Sequence, residues 1–188
     1  MLKDLGVMPA LFPMPVLLIA TYGEDGTVDV MNMAWGGICD EDKVALNITE
    51  THKTAKNLKA RKAFTLSVAD AAHLKEADFF GIASGNDMPD KFQRSGLTAV
   101  KSARVDAPVV AELPLTLECE VMEFQHPEGG FRVLGRIVNV LADESVLDGA
   151  GKVDVTRLNA LMFDQFRSGY YTIGEQVGTA WSSGMELM

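Results

Sequence analysis

Hydrophobic and polar positions alternate along several stretches of this chain, and that alternation predicts β-strands. Residues 28–35 place Val28 and Val30 on one face and Met31 and Met33 on the other. The same period of two recurs elsewhere, most regularly in the second half of the chain. The further strands are predicted at residues 15–22, 43–49, 63–68, 115–125 and 131–142.

Two turn signals join pairs of these strands. The segment Gly-Glu-Asp-Gly-Thr at 23–27 separates the first strand from the strand that begins at Val28. Residues 126–130, His-Pro-Glu-Gly-Gly, separate the two long strands of the second half. Both pairs are therefore predicted to form antiparallel hairpins.

Helical spacing is found between the strands. Residues 51–61 predict a polar helix with Thr51 as its N-cap and with Ala55 and Leu58 facing inward. The other predicted helices follow the cap Asp70, lie between the cap Asp87 and the stop Gly96, and fall within residues 154–162.

The C-terminal part is less regular. Residues 163–174 are rich in aromatic residues and glycine, a composition that can line a ligand or a subunit interface but more often closes a core. We predict a core role for this run. Residues 175–188 are predicted to be a loose tail of a single domain that spans residues 1–188.

The strand at 28–35 ends in an aromatic residue followed by two glycines. Trp35 could form one wall of a site for a flat ligand, and Gly36 and Gly37 would let main-chain N–H groups approach its polar edge. The alternative is a core tryptophan at a strand end beside a β-bulge. The stretch by itself leaves both interpretations open.

The start of the helix at 51–61 is basic, against the preference that the helix dipole sets. His52, Lys53 and Lys56 crowd the end where acidic side chains are favoured. A bound anion would relieve this conflict, because helix N-termini bind phosphate through free N–H groups. A solvated basic face is the alternative, at a cost of roughly a few tenths of a kcal/mol per charge.

Composition narrows the function classes. A chain of 20.4 kDa with 47% hydrophobic and 23% charged residues fits one globular domain. The net charge of −9 and the pI near 4.8 argue against nucleic-acid binding. The longest apolar run near the N-terminus suits neither a signal peptide nor a membrane helix, so we expect a cytoplasmic protein without a membrane partner.

The sequence lacks the motifs that are typical of metal sites, serine hydrolases and nucleotide-binding loops. Cys39 and Cys119 belong to no Cys-x-x-Cys pair and are interpreted as free thiols, although a disulfide between them is not excluded. No metal-ligand spacing, Gly-x-Ser-x-Gly, Gly-x-Gly-x-x-Gly or P-loop motif is present. Glu118, Glu120 and Glu123 are predicted on the solvated face of a strand, and we assign them no acid–base role.

Four motifs in order resemble the flavin reductase-like family, most closely its flavoredoxin members. They are Pro-x-Pro-Val-Leu-Leu-Ile-Ala-Thr at 13–21, Gly-x-x-Asp-Val-Met-Asn-Met-Ala-Trp-Gly-Gly at 26–37, Thr-His-Lys-Thr-Ala-Lys-Asn-Leu at 51–58, and Ser-Gly-x-x-x-x-Asp-Lys-Phe at 84–92. The resemblance covers about residues 13–174. It implies a mainly β (α+β) fold, an antiparallel Greek-key FMN-binding split barrel with a few flanking helices, working as a homodimer.

The resemblance also implies a set of residues that bind non-covalent FMN. No catalytic side chain and no metal ligand is implied, since hydride and electron transfer are the flavin's own chemistry. Asn32, Met33, Ala34 and Trp35 would flank the isoalloxazine ring, and Thr49, Thr51, Lys53 and Thr54 would hold the phosphate and ribityl chain. Further cofactor contacts would come from Ser84, Gly85, Lys91, Phe92 and Tyr170 or Tyr171, of which we choose Tyr171.

Two functions follow from the resemblance, and a third possibility stands beside them. The first is an NAD(P)H-dependent flavin reductase that passes electrons to free flavin or another acceptor. The second is a flavoredoxin-like FMN electron carrier that exchanges electrons with a protein partner. The third is a barrel that has lost cofactor binding.

Overall fold

A seven-stranded antiparallel sheet dominates the fold. The computed structural model describes residues 1–188, apart from the side chain of Glu186. Neighbouring strands of the sheet follow the order β3-β2-β6-β9-β10-β5-β4. These strands are β2 (Leu17–Tyr22), β3 (Val28–Met33), β4 (Gly36–Asp40), β5 (Lys43–Ile48), β6 (Ala63–Val68), β9 (Leu115–Gln125) and β10 (Phe131–Ala142).

Two smaller sheets, four α-helices and three short 3-10 helices make up the rest of the described secondary structure. The short strands are β1 (Met14–Pro15), β11 (Leu161–Asp164) and β12 (Gly169–Thr172) in one sheet, and β7 (Ala99–Lys101) and β8 (Pro108–Val110) in the other. The helices are α1 (Lys53–Arg61), α2 (Leu74–Ile82), α3 (Lys91–Ser95) and α4 (Val155–Leu158). A mainly antiparallel fold with a few flanking helices is thus confirmed.

The predicted hairpins are confirmed in their pairing. In the first, Leu17 of β2 lies opposite Met33 of β3, and Tyr22 lies opposite Val28. In the second, β9 pairs with β10 along almost its full length, with two register shifts. The first hairpin places the end of β3 at the start of the turn that carries Trp35.

Strand β2 separates two hydrophobic clusters. Leu17 and Ile19 pack into the first cluster, whereas Leu18 and Ala20 pack into the second. Because both faces of β2 are buried, its apolar residues run without alternation. Helix α1 adds Ala55 and Leu58 to the first cluster, and α2 and α3 add Ala77, Phe80 and Phe92 to the second.

The predicted cap Asp70 is confirmed, because its side chain accepts from the backbone N–H of His73 in a short 3-10 helix (Ala71–His73) that runs directly into α2. Two other predicted helix starts were wrong. Helix α1 has His52, not Thr51, at its N-cap, and the His52 side chain forms no capping hydrogen bond with the described residues. Helix α3 begins after Asp90. Asp87 lies instead in a turn, where its backbone N–H donates to the carbonyl oxygen of Ser84. The helix predicted within 154–162 covers one turn only, because the chain continues directly into β11.

Gly36 and Gly37 were expected to free the main chain, but they belong to strand β4. Gly36 lies opposite Leu46 and Gly37 opposite Ala45 of β5. A Cβ at position 36 would lie 2.8 Å from the carbonyl oxygen of Ala45. Glycine at this position therefore permits a close approach of two strands.

Glu118 was predicted on a solvated face and is instead 1% exposed. Its carboxylate accepts hydrogen bonds from Ser102 Oγ and from Asn139 Nδ2, the latter at 2.6 Å. These two donors compensate for the loss of water around a buried charge. The face of β9 that the alternation assigned to solvent is covered there by the β7–β8 loop.

Both cysteines are free thiols, as interpreted from the sequence. Cys39 is exposed, whereas burial raises the pKa of Cys119 to about 12 and keeps that thiol protonated. Among the described residues, no helix has both the length and the apolar character needed to cross a membrane. The segment 175–188 is exposed wherever its side chains are described.

Candidate functional site: three connected clefts

The candidate site consists of three clefts that share lining residues. The ring cleft, as we name the largest, has a volume of about 490 Å³ and is lined from β3, β5, β10 and the β11–β12 hairpin. The chain cleft, of about 150 Å³, shares Met31, Asn32 and His52 with it. The lysine cleft, of about 260 Å³, shares Asp29, Lys53 and Gly85 with the chain cleft.

The ring cleft is mainly apolar and aromatic. Trp35 is 52% exposed at its edge, so it is not the core tryptophan of the alternative interpretation. Phe131, Phe163 and Tyr170 supply further ring surfaces. Such walls, with a few polar groups between them, are typical of sites for flat heterocyclic ligands.

Hydrogen bonds fix the turn that presents Trp35. The carbonyl oxygen of Trp35 accepts from the backbone N–H of Asn47 at 2.9 Å and from its Nδ2 at 3.1 Å. Asn47 Oδ1 in turn accepts from Arg132 Nε at 2.9 Å. The step from β3 to β4 is thereby tied to β5 and β10, which holds the tryptophan at the cleft edge.

Asn32 lies where the ring cleft and the chain cleft meet. Its Nδ2 donates to the carbonyl oxygen of Ala77 in α2 at 2.8 Å, which sets the orientation of the amide. Gly81 of the same helix packs close to this side chain, since a Cβ there would lie 3.6 Å from Asn32 Cβ. The Asn32 amide is thus a polar group held in one orientation beside an apolar cavity.

Tyr170 is anchored by helix α2. Its hydroxyl donates to Asp78 Oδ1 at 2.9 Å, and its ring packs against Phe163 with the centroids 5.9 Å apart. Burial, followed by the interaction with Asp78, raises the pKa of Tyr170 to about 12. At neutral pH the side chain is therefore an uncharged phenol in a fixed position.

A buried ion pair lies in the chain cleft. Lys91 Nζ is 3.0 Å from Asp29 Oδ1, and both side chains are at most 5% exposed. Asp29 Oδ2 accepts from Thr54 Oγ1 at 3.0 Å, and Lys91 Nζ donates to the carbonyl oxygen of Ala83 at 3.3 Å. Asp29 therefore ties β3 to the first turn of α1 and to α3.

The basic start of α1 faces the chain cleft and the lysine cleft. Lys53 lines both and forms no ion pair within 4 Å among the described residues. Asp25 lines the lysine cleft with it, and the pKa of Asp25 is lowered mainly by hydrogen bonds from Thr27 and to a smaller extent by the charge of Lys53. The first turn of α1 contains no acidic residue, so its unbonded N–H groups and the helix dipole keep their positive character. Lys56 extends this positive region into the lysine cleft, where its Nζ donates to Asn86 Oδ1 at 2.6 Å.

The structure brings together ten of the thirteen residues that the resemblance implied. Half of them lie at one end of the joined clefts and half at the other. Asn32, Met33, Ala34, Trp35 and Thr49 line the ring cleft, and Lys53, Thr54, Ser84, Gly85 and Lys91 line the chain cleft.

Three of the implied residues lie outside the lining of these clefts. Thr51 is exposed, and its carbonyl oxygen accepts from Asn86 Nδ2 at 3.1 Å. Phe92 is buried beneath the site, stacked on Phe80 with 6.2 Å between the centroids. Tyr171 points to the other face of β12 and meets Phe12 edge-on, so its neighbour Tyr170 takes the place at the cleft.

Sequence reasoning missed other cleft residues. Phe131 was assigned only to a strand and Phe163 only to a predicted core segment, because nothing local distinguishes a cleft aromatic from a core one. Asn47 offered no signal beyond its place in a strand. Asp29 stood out in one respect only, as an acidic residue in an apolar strand, and its partner Lys91 is 62 positions away.

No group of three or more His, Cys, Asp or Glu among the described residues is arranged to hold a metal ion.

Comparison with known proteins identifies the family. Residues 8–172 match the model of the flavin reductase like domain. Flavoredoxin of Desulfovibrio vulgaris (Miyazaki F) is 33% identical, with a TM-score of 0.93 over 98% of this chain and 100% of that chain.

Two more distant structures agree in fold. A Shewanella frigidimarina protein described as a flavin reductase with a split barrel domain is 20% identical, with a TM-score of 0.79 over 90% of this chain and 86% of that one. The FMN-binding domain of a flavin reductases-like enzyme from Shewanella baltica is 21% identical, with a TM-score of 0.76 over 88% of each chain. The fold is a split barrel, and the chain belongs to the flavin reductase-like family.

Proposed function

We propose that this protein binds FMN non-covalently in the joined clefts and uses it to move electrons from NAD(P)H to free flavin or another acceptor. One observation carries the proposal. The ring, chain and lysine clefts adjoin in that order, so an apolar aromatic end leads through a polar middle to a cleft that contains Lys53 and Lys56. FMN has the same order of a flat ring, a hydroxylated chain and a phosphate.

The residues present fit such a ligand in size and chemistry. The ring cleft of about 490 Å³ lies within the roughly 300–1,000 Å³ of ligand pockets. Trp35 and Phe163 offer apolar surfaces to a ring, and Asn32 offers a fixed amide to its polar edge. Lys53 and the first-turn N–H groups of α1 offer donors to a phosphate.

Bound FMN would supply the hydride and electron transfer chemistry, which explains the lack of a catalytic triad. The protein's own residues would hold the flavin in position and enclose it. Trp35, Phe131 and Phe163 give the ring cleft apolar walls against which a flat ring can pack. Tyr170 keeps its proton at neutral pH, because its pKa lies near 12, and so adds no charge beside the ring.

Steady-state oxidation of NADH and NADPH, with and without added FMN, tests this function. We expect turnover that depends on added flavin or acceptor. Purified protein should also show the flavin absorption bands after incubation with FMN and desalting. Absence of flavin uptake would contradict cofactor binding itself.

Non-covalent binding has its own test. In this proposal Trp35 packs against the flavin ring and the basic start of α1 attracts the phosphate. No feature of the sequence demands a covalent link to flavin. Mass spectrometry of denatured holoprotein should therefore give the mass of the polypeptide alone. A mass increased by that of FMN would contradict the non-covalent proposal.

A second candidate function is a flavoredoxin-like carrier that keeps its FMN and exchanges electrons with a protein partner. Its support is the similarity to flavoredoxin, which extends over 98% of this chain. A carrier would retain FMN through gel filtration and would oxidise NAD(P)H only at a negligible rate. The nicotinamide assay thus separates the two functions.

The proposal includes a homodimer in the cytoplasm. Trp35 and Ile38 expose large apolar surfaces next to the ring cleft, and a second copy would cover them. A reduced, exposed Cys39 fits the reducing cytoplasm.

A further inference from the structure

The last residues of the chain form a turn that is closed by its own hydrogen bonds. The carbonyl oxygen of Thr179 accepts from the backbone N–H groups of Ser182 and Ser183 at 3.2 and 3.0 Å. The Ser183 hydroxyl donates to the same oxygen at 2.9 Å and accepts from the N–H of Thr179 at 2.8 Å. Gly178 permits this closure, because a Cβ there would lie 2.8 Å from Ser183 Oγ. We name residues 179–183 the tryptophan turn.

Trp181 lies in the middle of this turn, and its side chain is 98% exposed. Its φ of 57° falls in the left-handed region, which is uncommon for a bulky residue. Such a conformation costs free energy, and its presence at an exposed aromatic residue suggests a function. Tryptophan is also among the residues most enriched at the energetic centres of protein interfaces. The turn is therefore suited to insert an indole into a partner surface.

An uncharged groove beside β4 can receive an indole. Its volume of about 480 Å³ is close to the about 490 Å³ of the ring cleft. Proline, alanine and leucine residues within 9–15 form one wall, and Trp35, Ile38 and Cys39 lie among the residues opposite. Gln165 also lines the groove, and its side-chain amide can accept a hydrogen bond from an indole N–H.

Charge favours contact between the tryptophan turn and the groove of a second copy. Two chains that each carry a net charge of −9 repel one another, so they meet at least cost where both surfaces are neutral. Residues 176–185 contain no charged residue, and every residue of the groove lining is uncharged. The turn does not occupy the groove of its own chain, since Trp181 is almost fully exposed. A second copy supplies both a free turn and a free groove.

We propose that the tryptophan turn of one copy inserts Trp181 into the groove of a second copy. This inference rests on the homodimer that the proposed function includes, and it adds the residue that holds the two copies together. In a two-fold dimer both grooves receive a turn, because each copy supplies one turn and one groove. Trp35 lines the groove as well as the ring cleft, so the docked turn of the partner also covers the groove side of Trp35.

Tryptophan fluorescence tests the docking, because the chain contains only two tryptophans. In Trp35→Phe, all tryptophan emission comes from Trp181. At a concentration where light scattering gives the mass of a dimer, this emission should lie at a shorter wavelength than that of free tryptophan, and acrylamide should quench it several-fold less. After dilution to the monomer, both properties should become those of an exposed indole.

Two results of this experiment would overturn the inference. Emission typical of an exposed indole in the dimer would leave the groove to another part of the second copy. Protection of Trp181 that persists in the monomer would mean that the turn docks on its own chain. If Trp35→Phe does not fold, the difference in quenching between wild type and Trp181→Phe gives the same information without a change at Trp35.

Substitution of Trp181 provides a second test. Trp181→Ser removes the inserted side chain and should raise the dissociation constant of the dimer about tenfold or more. Gly178→Ala keeps the tryptophan but opens the turn, so it should also weaken the dimer. The matched control Val100→Ser removes an exposed apolar side chain from β7 and should leave the dissociation constant unchanged. An unchanged constant for Trp181→Ser would overturn the inference.

Failure of the proposed function gives different results. A dimer in which Trp181 stays exposed overturns this inference alone, whereas a wild-type monomer overturns the homodimer together with it. Flavin titration reports on the cofactor separately, so a dimer that docks Trp181 but takes up no FMN would contradict the proposed function and support this inference.

Discussion

At the scale of single residues, Lys53 carries the phosphate assignment. Its ammonium lines the chain and lysine clefts without a carboxylate partner in the described structure. Lys53→Ala should lose a charge-assisted contact of about 1.5 to 3 kcal/mol, which weakens FMN binding roughly ten- to 150-fold. Riboflavin, which has no phosphate, should bind both proteins almost equally in the same fluorescence titration.

Salt provides a control for this prediction. Raising the ionic strength should weaken FMN binding to wild type more than to Lys53→Ala, because only wild type has the screened charge. An equal loss of FMN and riboflavin affinity would mean that Lys53 acts through folding or the ring cleft. Indifference of both ligands would place Lys53 on a solvated helix face.

Tyr170 should make the stability of the protein depend on pH in the alkaline range. Its pKa is about 12 in the folded state and 10.0 for the free side chain, so above pH 10 the unfolded state loses its proton first. The free energy of unfolding should therefore fall as the pH rises from 10 toward 12. Urea unfolding of Tyr170→Phe should show a smaller fall over this range, and an identical fall in both proteins would contradict the assignment.

Residue roles could be predicted from the sequence only where a motif fixed them. The segments around Asn32 and Lys53 reach the clefts because each sits at the end of a regular element. Tyr171 and Tyr170 could not be separated, since a strand places neighbours on opposite faces and the register of β12 is set by β11. The bond between Asp29 and Thr54 links residues 25 positions apart, which no local pattern reveals.

At the scale of elements, alternation predicted the strands whose two faces differ. β9 and β10 were found with the predicted bounds, although burial of Glu118 by the β7–β8 loop lay beyond the pattern. β4 was missed, because two glycines and a short length conceal a strand that is defined by its partner β5. The starts of α1 and α3 were misplaced by one and three residues, since no described side chain caps either helix.

Gly135 tests how tightly the first hydrophobic cluster is packed against β10. A Cβ at position 135 would lie 2.5 Å from Cζ and 2.7 Å from Cε1 of the buried Phe64 ring. Gly135→Ala should therefore lower the free energy of unfolding by about 1 to 3 kcal/mol through overpacking. Urea denaturation followed by circular dichroism measures this change.

Gly37 provides the matched control in the same sheet. No described atom lies within 4 Å of a Cβ built at Gly37, so Gly37→Ala gains strand preference without a clash. Its stability should rise, by up to about 1 kcal/mol. Equal effects of the two substitutions on the free energy of unfolding would contradict the predicted overpacking against Phe64.

At the scale of the whole molecule, the clefts arise from the order of elements. β3 and β4 are consecutive in the chain but lie at opposite edges of the seven-stranded sheet, so the short link between them, which holds Ala34 and Trp35, crosses the split of the barrel. The β11–β12 hairpin lines the ring cleft together with that link, and helices α1 and α2 line the adjoining chain cleft. Because these parts come from the whole length of the chain, the resemblance supplied a list of residues but not the division into three clefts.

The same link leaves an apolar surface that a second copy can cover. Ile38 on β4 is 66% exposed and Trp35 is 52% exposed, and a groove of about 480 Å³ runs between them and residues 9–15. β4 is also an edge strand of the sheet, and exposed edges favour association. One interface between two copies of the chain would therefore cover both the apolar surface at Trp35 and the exposed edge of β4.

We accordingly predict a homodimer in solution. Light scattering at micromolar concentration should give twice the 20.4 kDa of one chain. Ile38→Asp places a charge in the apolar interface and should raise the dissociation constant of the dimer by about tenfold or more, whereas Val100→Asp, at a position 47% exposed on β7, should not change it. A wild-type mass near 20 kDa would contradict the dimer, and an equal response to the two substitutions would place the interface elsewhere.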